Sequence, residues 1–285
     1  LAEENDIYDG GANLLVNLAI VEKNRGDLIE ARGLLGRAIA FYHKSNTPVS
    51  GSLYITLGNV AVSEGDLGET DSNYHKALAS FRQQESRSGE AIALSNLSWL
   101  ARQLHKYDEA LEYLNQSIEI RRDIDDRVGI LKSLVMQGAL QYSMGKFDDC
   151  QISAELILAD SHVREENDLY ATAITYLGMI ASERNEFDHS IEKLDEAIGI
   201  RESRQDISGK LRTENMLSSV YIRQGDYMKA RSQLSNTIED SQVANLPTAE
   251  IEALLHLAEI DKLNGDLESS EKKLATLLEK VRRLS

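Results

Sequence analysis

Cysteine and histidine, two residue types that carry covalent and metal chemistry, are few in this chain. Cys150 is the only cysteine, so no intrachain disulfide can form. The six histidines, His43, His75, His105, His162, His189 and His256, show no metal-ligand spacing. No phosphate loop, nucleophile elbow, zinc-protease helix or dinucleotide fingerprint occurs, and the acidic run Asp123 to Asp126 lacks the calcium-loop pattern. The sequence therefore predicts no catalytic residue, no metal and no cofactor, and a protein that is not an enzyme. What remains is recognition chemistry. Asn17, Asn59, Asn96 and Asn215 can each donate to and accept from a peptide amide at once. Arg102, Lys132, Arg212 and Arg223 suit carboxylates. Trp99, Tyr142, Tyr176 and Met179 could anchor an apolar side chain.

The elements that position these residues are predicted to be helices. The 285 residues include only two prolines, Pro48 and Pro247, and 6% aromatics, which leans away from sheet. A net charge of -16 favours solubility and argues against direct contact with a nucleic-acid backbone. No run of about 18 apolar residues occurs, so no membrane span is expected. No signal peptide is visible, and a single thiol fits a reducing, cytoplasmic setting. The chain begins with Leu1 rather than Met, and is expected to be a segment of a larger protein.

A short turn recurs. Its first residue is Gly26, Gly65, His105, Gly145, Asn185, Gly225 and Gly265, a spacing of 39 once and then 40 five times. Glycine, or asparagine in its place, can take the left-handed conformation that ends a helix. The next residue, often Asp or Lys, is expected to face solvent, and the third is always large and apolar. Seven residues before each turn the side chain is small (Ala19, Gly58, Ser98, Gly138, Gly178, Ser218, Ala258). Five residues after it is small again (Ala31, Thr70, Ala110, Cys150, Ser190, Ala230, Ser270), as two closely crossing helices require. Cys150 thus reads as a buried small side chain rather than a reactive thiol. Each unit reads as helix, turn, helix; in the third, Glu90 to His105 and then Tyr107 to about Asp123. The predicted repeats are 12–50, 51–89, 90–129, 130–169, 170–209, 210–249 and 250–285, within one domain over 1–285. Neither helix of a unit can bury its apolar stripe alone, so neighbouring units must stack.

This constellation resembles the tetratricopeptide repeat, whose usual unit is about 34 residues. The resemblance covers roughly residues 12 to 285. The family's proline at the end of the second helix is replaced by His43, Arg82, Arg122, His162, Glu202, Gln242 and Arg282, so that helix should run about a turn longer. Long units of this kind look like the arrays of large bacterial regulators. The resemblance implies an all-α, right-handed α-solenoid superhelix of about seven helix-turn-helix repeats, with the first helix of each pair lining a concave groove that takes an extended peptide or partner helix. It places Asn59, Asn96, Trp99, Arg102, Lys132, Tyr142, Tyr176, Met179, Arg212, Asn215 and Arg223 in that groove, together with Asn17 and Glu252. Each has a plainer reading: Trp99 wedged between repeats, the cations paired with neighbouring acids, Asn96 and Asn215 bridging helices. Asn59, Asn96 and Lys132 match part of the family's clamp for C-terminal carboxylates, but Ile55 stands where that clamp has lysine, so that clamp is not expected.

The expected function is a protein- or peptide-binding scaffold, a partner-sensing module of a larger regulator, whose basic groove on an acidic chain suits acidic groups or a C-terminal carboxylate. Two alternatives stand beside it. One is a structural or dimerising arm acting through its ends, where Leu14, Leu15 and Leu18 near one terminus and Leu274, Leu277, Leu278, Val281 and Leu284 near the other would form a homodimer. The other is a peptide-gated enzyme regulator.

Overall fold

The computed structural model describes residues 2–160 and 167–284, with side chains over 10–160 and 168–282. His162 and the side chain of Leu284 lie outside the described residues. All described regular structure is helical: α1 (Ala2–Arg25), α2 (Leu28–Ser45), α3 (Gly51–Glu64), α4 (Leu67–Gln83), α5 (Arg87–Gln103), α6 (Tyr107–Asp123), α7 (Arg127–Ser143), α8 (Phe147–Ala159), α9 (Asn167–Glu183), α10 (Phe187–Ser203), α11 (Ile207–Gln224), α12 (Tyr227–Val243), α13 (Pro247–Leu263) and α14 (Leu267–Leu284). The fold is all-α and built from helix-turn-helix repeats. The first helix of the third unit starts at Arg87, three residues before the expected Glu90, because Ser86 caps it by accepting the Gly89 amide. The second helices run through His43, Arg82, Arg122, Glu202 and Gln242 and stop within two residues of each.

The turns behave as their chemistry demands. Gly26, Gly65, Gly145, Gly225 and Gly265 take positive φ, and so do His105 and Asn185. The following aspartate is more than a solvated side chain: Asp27, Asp66, Asp226 and Asp266 each accept the backbone amide three residues on and cap the second helix. Lys106, Lys146 and Glu186 hold the same place without a side-chain cap bond.

At the crossing points the helices touch. The Ser190 hydroxyl donates to the Gly178 carbonyl at 2.7 Å, and Ser270 donates to Ala258 at 2.9 Å. Gly58 is pressed by the Tyr74 ring, so that an added Cβ would overlap it. Cys150 is wholly buried, as expected, and burial pushes its thiol up to about 11.

The chain forms two compact units, Leu1–Leu140 and Gln141–Ser285. In the first, α1 packs on α3 and α3 on α5; in the second, α9 packs on α11 and α11 on α13. Second helices also pack on the first helix that follows them, α2 on α3, α4 on α5, α8 on α9, α10 on α11 and α12 on α13. The chemistry of that inter-repeat contact recurs. Leu35 and Ile39 meet Leu57 and Val60; Leu194 and Ile198 meet Leu217 and Val220; Leu234 and Ile238 meet Leu257 and Ile260. The end of a second helix also lays a large side chain over a glycine in the first turn of the next helix: Phe81 over Gly89, Arg121 over Gly129, Arg201 over Gly209.

Candidate functional site

The first helices present one face in a constant register. On α3 it comprises Ser52, Thr56, Asn59 and Ser63; on α5, Ile92, Asn96, Trp99 and Gln103. The spacing of four, three and four residues keeps one side of a helix. The outer positions are exposed, while Asn59, Asn96 and Trp99 between them are half-buried where neighbouring first helices meet. On α1 the same register gives Asn13, Asn17, Ile20 and Asn24. These twelve positions hold no charged side chain, in a chain of which 27% is charged. Charge sits on the second helices instead; α6 alone carries Asp108, Glu109, Glu112, Glu119 and Asp123.

Within the first unit, Asn96 has no hydrogen-bond partner among the described residues, which leaves both its oxygen and its amide available. Asn59 accepts the Tyr74 hydroxyl at 2.7 Å; burial pushes that hydroxyl up to about 12. Trp99 packs partly on a cluster with Tyr54, Ile55 and Tyr113 and keeps part of its surface exposed, so it both wedges between repeats and lines the face. Arg102 is half-buried one position beyond the face; Lys132 on α7 is exposed, at the outer position equivalent to Ser52 and Ile92. Neither has an ion-pair partner among the described residues.

The second unit is built differently. Tyr176 and Met179 are half-buried on α9. Tyr142 and Arg223 come together on Glu183, the hydroxyl donating at 3.0 Å and the guanidinium at 2.7 Å, and Arg223 also reaches Ser182 at 3.2 Å. Burial, and then the hydrogen bond to Glu183, hold the Tyr142 hydroxyl far above its ordinary range. Arg223 is thus a neutralised cation, and the basic strip expected from sequence is reduced there to Arg212, which is exposed and unpaired among the described residues. Glu183 was the residue sequence reasoning missed; its place on the face beside Met179 and Ser182 was the available signal.

Asn215 is 2% exposed and works inside the stack. Its amide donates to the Ala249 carbonyl at 3.0 Å and to Glu252 at 3.3 Å, tying α11 to α13, while its oxygen is buried without a partner. The bridging reading holds for it. Beside it Ser208, Arg212, Pro247, Thr248 and Glu252 border a cavity of about 150 Å³. A larger cavity of about 480 Å³, lined by Arg201, Lys210 and Asp240 among others, lies at the α10–α11 turn, away from the face. Its lysine already bonds Glu202 at 3.2 Å. Among the described residues no cluster of His, Cys, Asp or Glu could hold a metal ion, and no helix is long and apolar enough to cross a membrane.

Residues 12–46 and 49–123 match models of the tetratricopeptide repeat. No curated protein matches the chain in sequence. Solved structures do match in fold. The apo form of RapI shares 13% identity over 96% of this chain and 98% of its own, with a TM-score of 0.78. NprR in complex with its cognate peptide NprX shares 13% identity over 94% of this chain and 77% of its own, at 0.68. A signal-transduction ATPase with a tetratricopeptide repeat sensor, from Pyrococcus horikoshii, shares 16% identity over 98% of this chain and 44% of its own, at 0.71.

Proposed function

Residues 12–46 and 49–123 match the tetratricopeptide repeat, and from that premise we propose that the chain is a peptide-sensing scaffold, not an enzyme, working in a cytoplasmic setting as the binding module of a larger regulator. The observation that carries this reading is the charge-free face of α1, α3 and α5. An extended peptide exposes one amide donor and one acceptor per residue. A surface of amides and hydroxyls satisfies such groups without the desolvation cost of burying charge. Asn96 and Asn59 then hold the backbone, and Trp99 takes an apolar side chain. Arg102 and Lys132 hold an acidic side chain or a C-terminal carboxylate. In the second unit Tyr176, Met179 and Arg212 play the corresponding parts. Asn215 and the Arg223–Glu183–Tyr142 cluster keep the first helices aligned beneath them. The peptide in the NprR structure supports the same use of this fold.

The test uses a display library of random heptapeptides selected on the intact chain. Peptides that bind should lose at least about tenfold in affinity on Lys132→Ala, since a charge-assisted hydrogen bond contributes about 1.5–3 kcal/mol, and about threefold on Asn96→Ala, whose neutral bonds to a peptide backbone contribute about 0.5–1.5 kcal/mol each. They should lose little on Arg122→Ala, which lies on α6. Selected peptides that bind all three variants equally would sink the assignment.

A further inference from the structure

The second unit holds a cavity that the face of the first helices does not use. It measures about 480 Å³ and opens where the α10–α11 turn meets the end of α12. That volume is within the range of sites that hold small organic molecules. Ile207, Leu211, Val243 and Ala244 supply apolar walls, and Arg201 and Lys210 supply positive charge.

The equivalent place in the first unit is bridged. There Arg87, at the start of α5, donates to Asp123, at the end of α6, at 3.0 Å. Three periods of 40 residues on, the same two positions hold Ile207 and Val243, 50% and 85% exposed. No hydrogen bond or ion pair can join their apolar side chains.

Arg201 differs from its counterpart too. Arg121, two periods earlier, bonds the Asp126 carboxylate directly. Arg201 is 9% exposed and donates to neutral oxygens instead: the hydroxyls of Thr172, Thr175 and Thr213 and the Gly209 carbonyl. Its Nε stands 3.9 Å from Asp206 Oδ2, too far for a hydrogen bond. Asp206 Oδ1 is taken by the Gly209 amide. Burial lowers the guanidinium pKa, and the charge of Asp206 offsets that only in part. The other acids here already have a cation: Lys210 bonds Glu202 at 3.2 Å and stands 3.7 Å from Glu214 and 3.8 Å from Asp240. A buried cation with no bonded carboxylate therefore borders an apolar hollow, although buried charges are ordinarily paired.

We propose that this cavity binds a small carboxylic acid with a branched or aromatic apolar body, its carboxylate taken by Arg201 and its body by Ile207, Leu211 and Val243. The anion gives the guanidinium charge-assisted hydrogen bonds in place of neutral ones. The body removes the exposed Ile207 and Val243 side chains from water. The site goes beyond the peptide reading and shares none of the residues varied in its test.

Amide chemical shifts of the intact chain, titrated with isocaproate, test this. Shifts should be confined to residues 201–211 and 240–244. Isocaproamide keeps the shape and loses the charge, and acetate keeps the charge and loses the body; each should bind at least about tenfold more weakly. N-acetyl-alanylleucine, which presents the same groups as a chain terminus, should also bind more weakly, because its extra amides would meet apolar walls. Val243→Trp fills the cavity from an exposed position and should abolish the isocaproate shifts, while heptapeptides selected on the face bind this variant as they bind wild type. Arg201→Gln should bring acid and amide to equal affinity; if circular dichroism shows that it loses helicity, the acid-amide comparison on wild type and the Val243→Trp variant carry the decision. Equal affinity of wild type for acid and amide overturns the proposal, as do shifts centred elsewhere, tighter binding of the chain terminus, isocaproate binding that survives Val243→Trp, or no shift at about 10 mM acid.

Discussion

At the scale of single residues, the buried charges rather than the exposed ones set how the protein responds to pH. Asp261 is 2% exposed and accepts from Lys273, Arg231 and Ser269. Burial alone would raise its pKa, but the hydrogen bonds from Lys273, Arg231 and Ser269 outweigh burial and hold the carboxyl well below its ordinary value. A carboxylate with a depressed folded-state pKa stabilises the fold fully above its unfolded value, near 3.8 here, and loses that contribution as pH falls through the folded value. Glu214 has the opposite sign. Burial raises its pKa, so its charged form costs stability at neutral pH and acid relieves it. Asp261→Asn should therefore be less stable than wild type at pH 7, and the gap should close as pH falls from about 4 towards 2. Urea midpoints across that range measure it; a gap that stays constant would show that the ion pairs of Asp261 contribute nothing.

At the scale of the element, the second turn of five repeats is the surprise. Asn46, Glu85, Asp125, Gln205 and Asn245 all take positive φ, and they repeat with the same 40-residue period as the glycine turns. Left-handed backbone costs a residue with a Cβ about 1 kcal/mol relative to glycine, and asparagine less. Glu85→Gly, Asp125→Gly and Gln205→Gly should each raise stability by up to about 1 kcal/mol, and Asn46→Gly by less. Thermal melts of the four single variants check the order; destabilisation by all three would mean the side chains there do more than tolerate the turn. This is also where the sequence was hardest to read. Turns at Gly26, Gly65 and Gly225 announce themselves because glycine is chosen for its backbone. Glu85 and Gln205 carry no such signature, and the caps beyond them, Ser86 and Asp206, are seen in the structure. Helix pairing and crossing points were legible because small residues at Gly178 and Ser190 have no other reason to recur. The face was legible in its register but not in its electrostatics: nothing in the spacing of Arg223 or Asn215 told that the first is neutralised by Glu183 and the second buried against Ala249.

At the scale of the whole molecule, the two turn types combine. Three second helices end on a left-handed residue followed by a helix-capping one: Glu85 then Ser86, Asp125 then Asp126, Gln205 then Asp206. Excision of residues 86–125 would splice Glu85 to Asp126 and restore that pair unchanged. It would also bring Phe81 over Gly129, as Phe81 now lies over Gly89. The shortened chain should keep its helicity per residue and a cooperative melt, whereas excision of residues 86–115, which is not a whole period, should not. Circular dichroism of both distinguishes them. The architecture thus works like a ruler with one graduation: its reach can change only in whole divisions, and any other cut leaves two ends that do not fit.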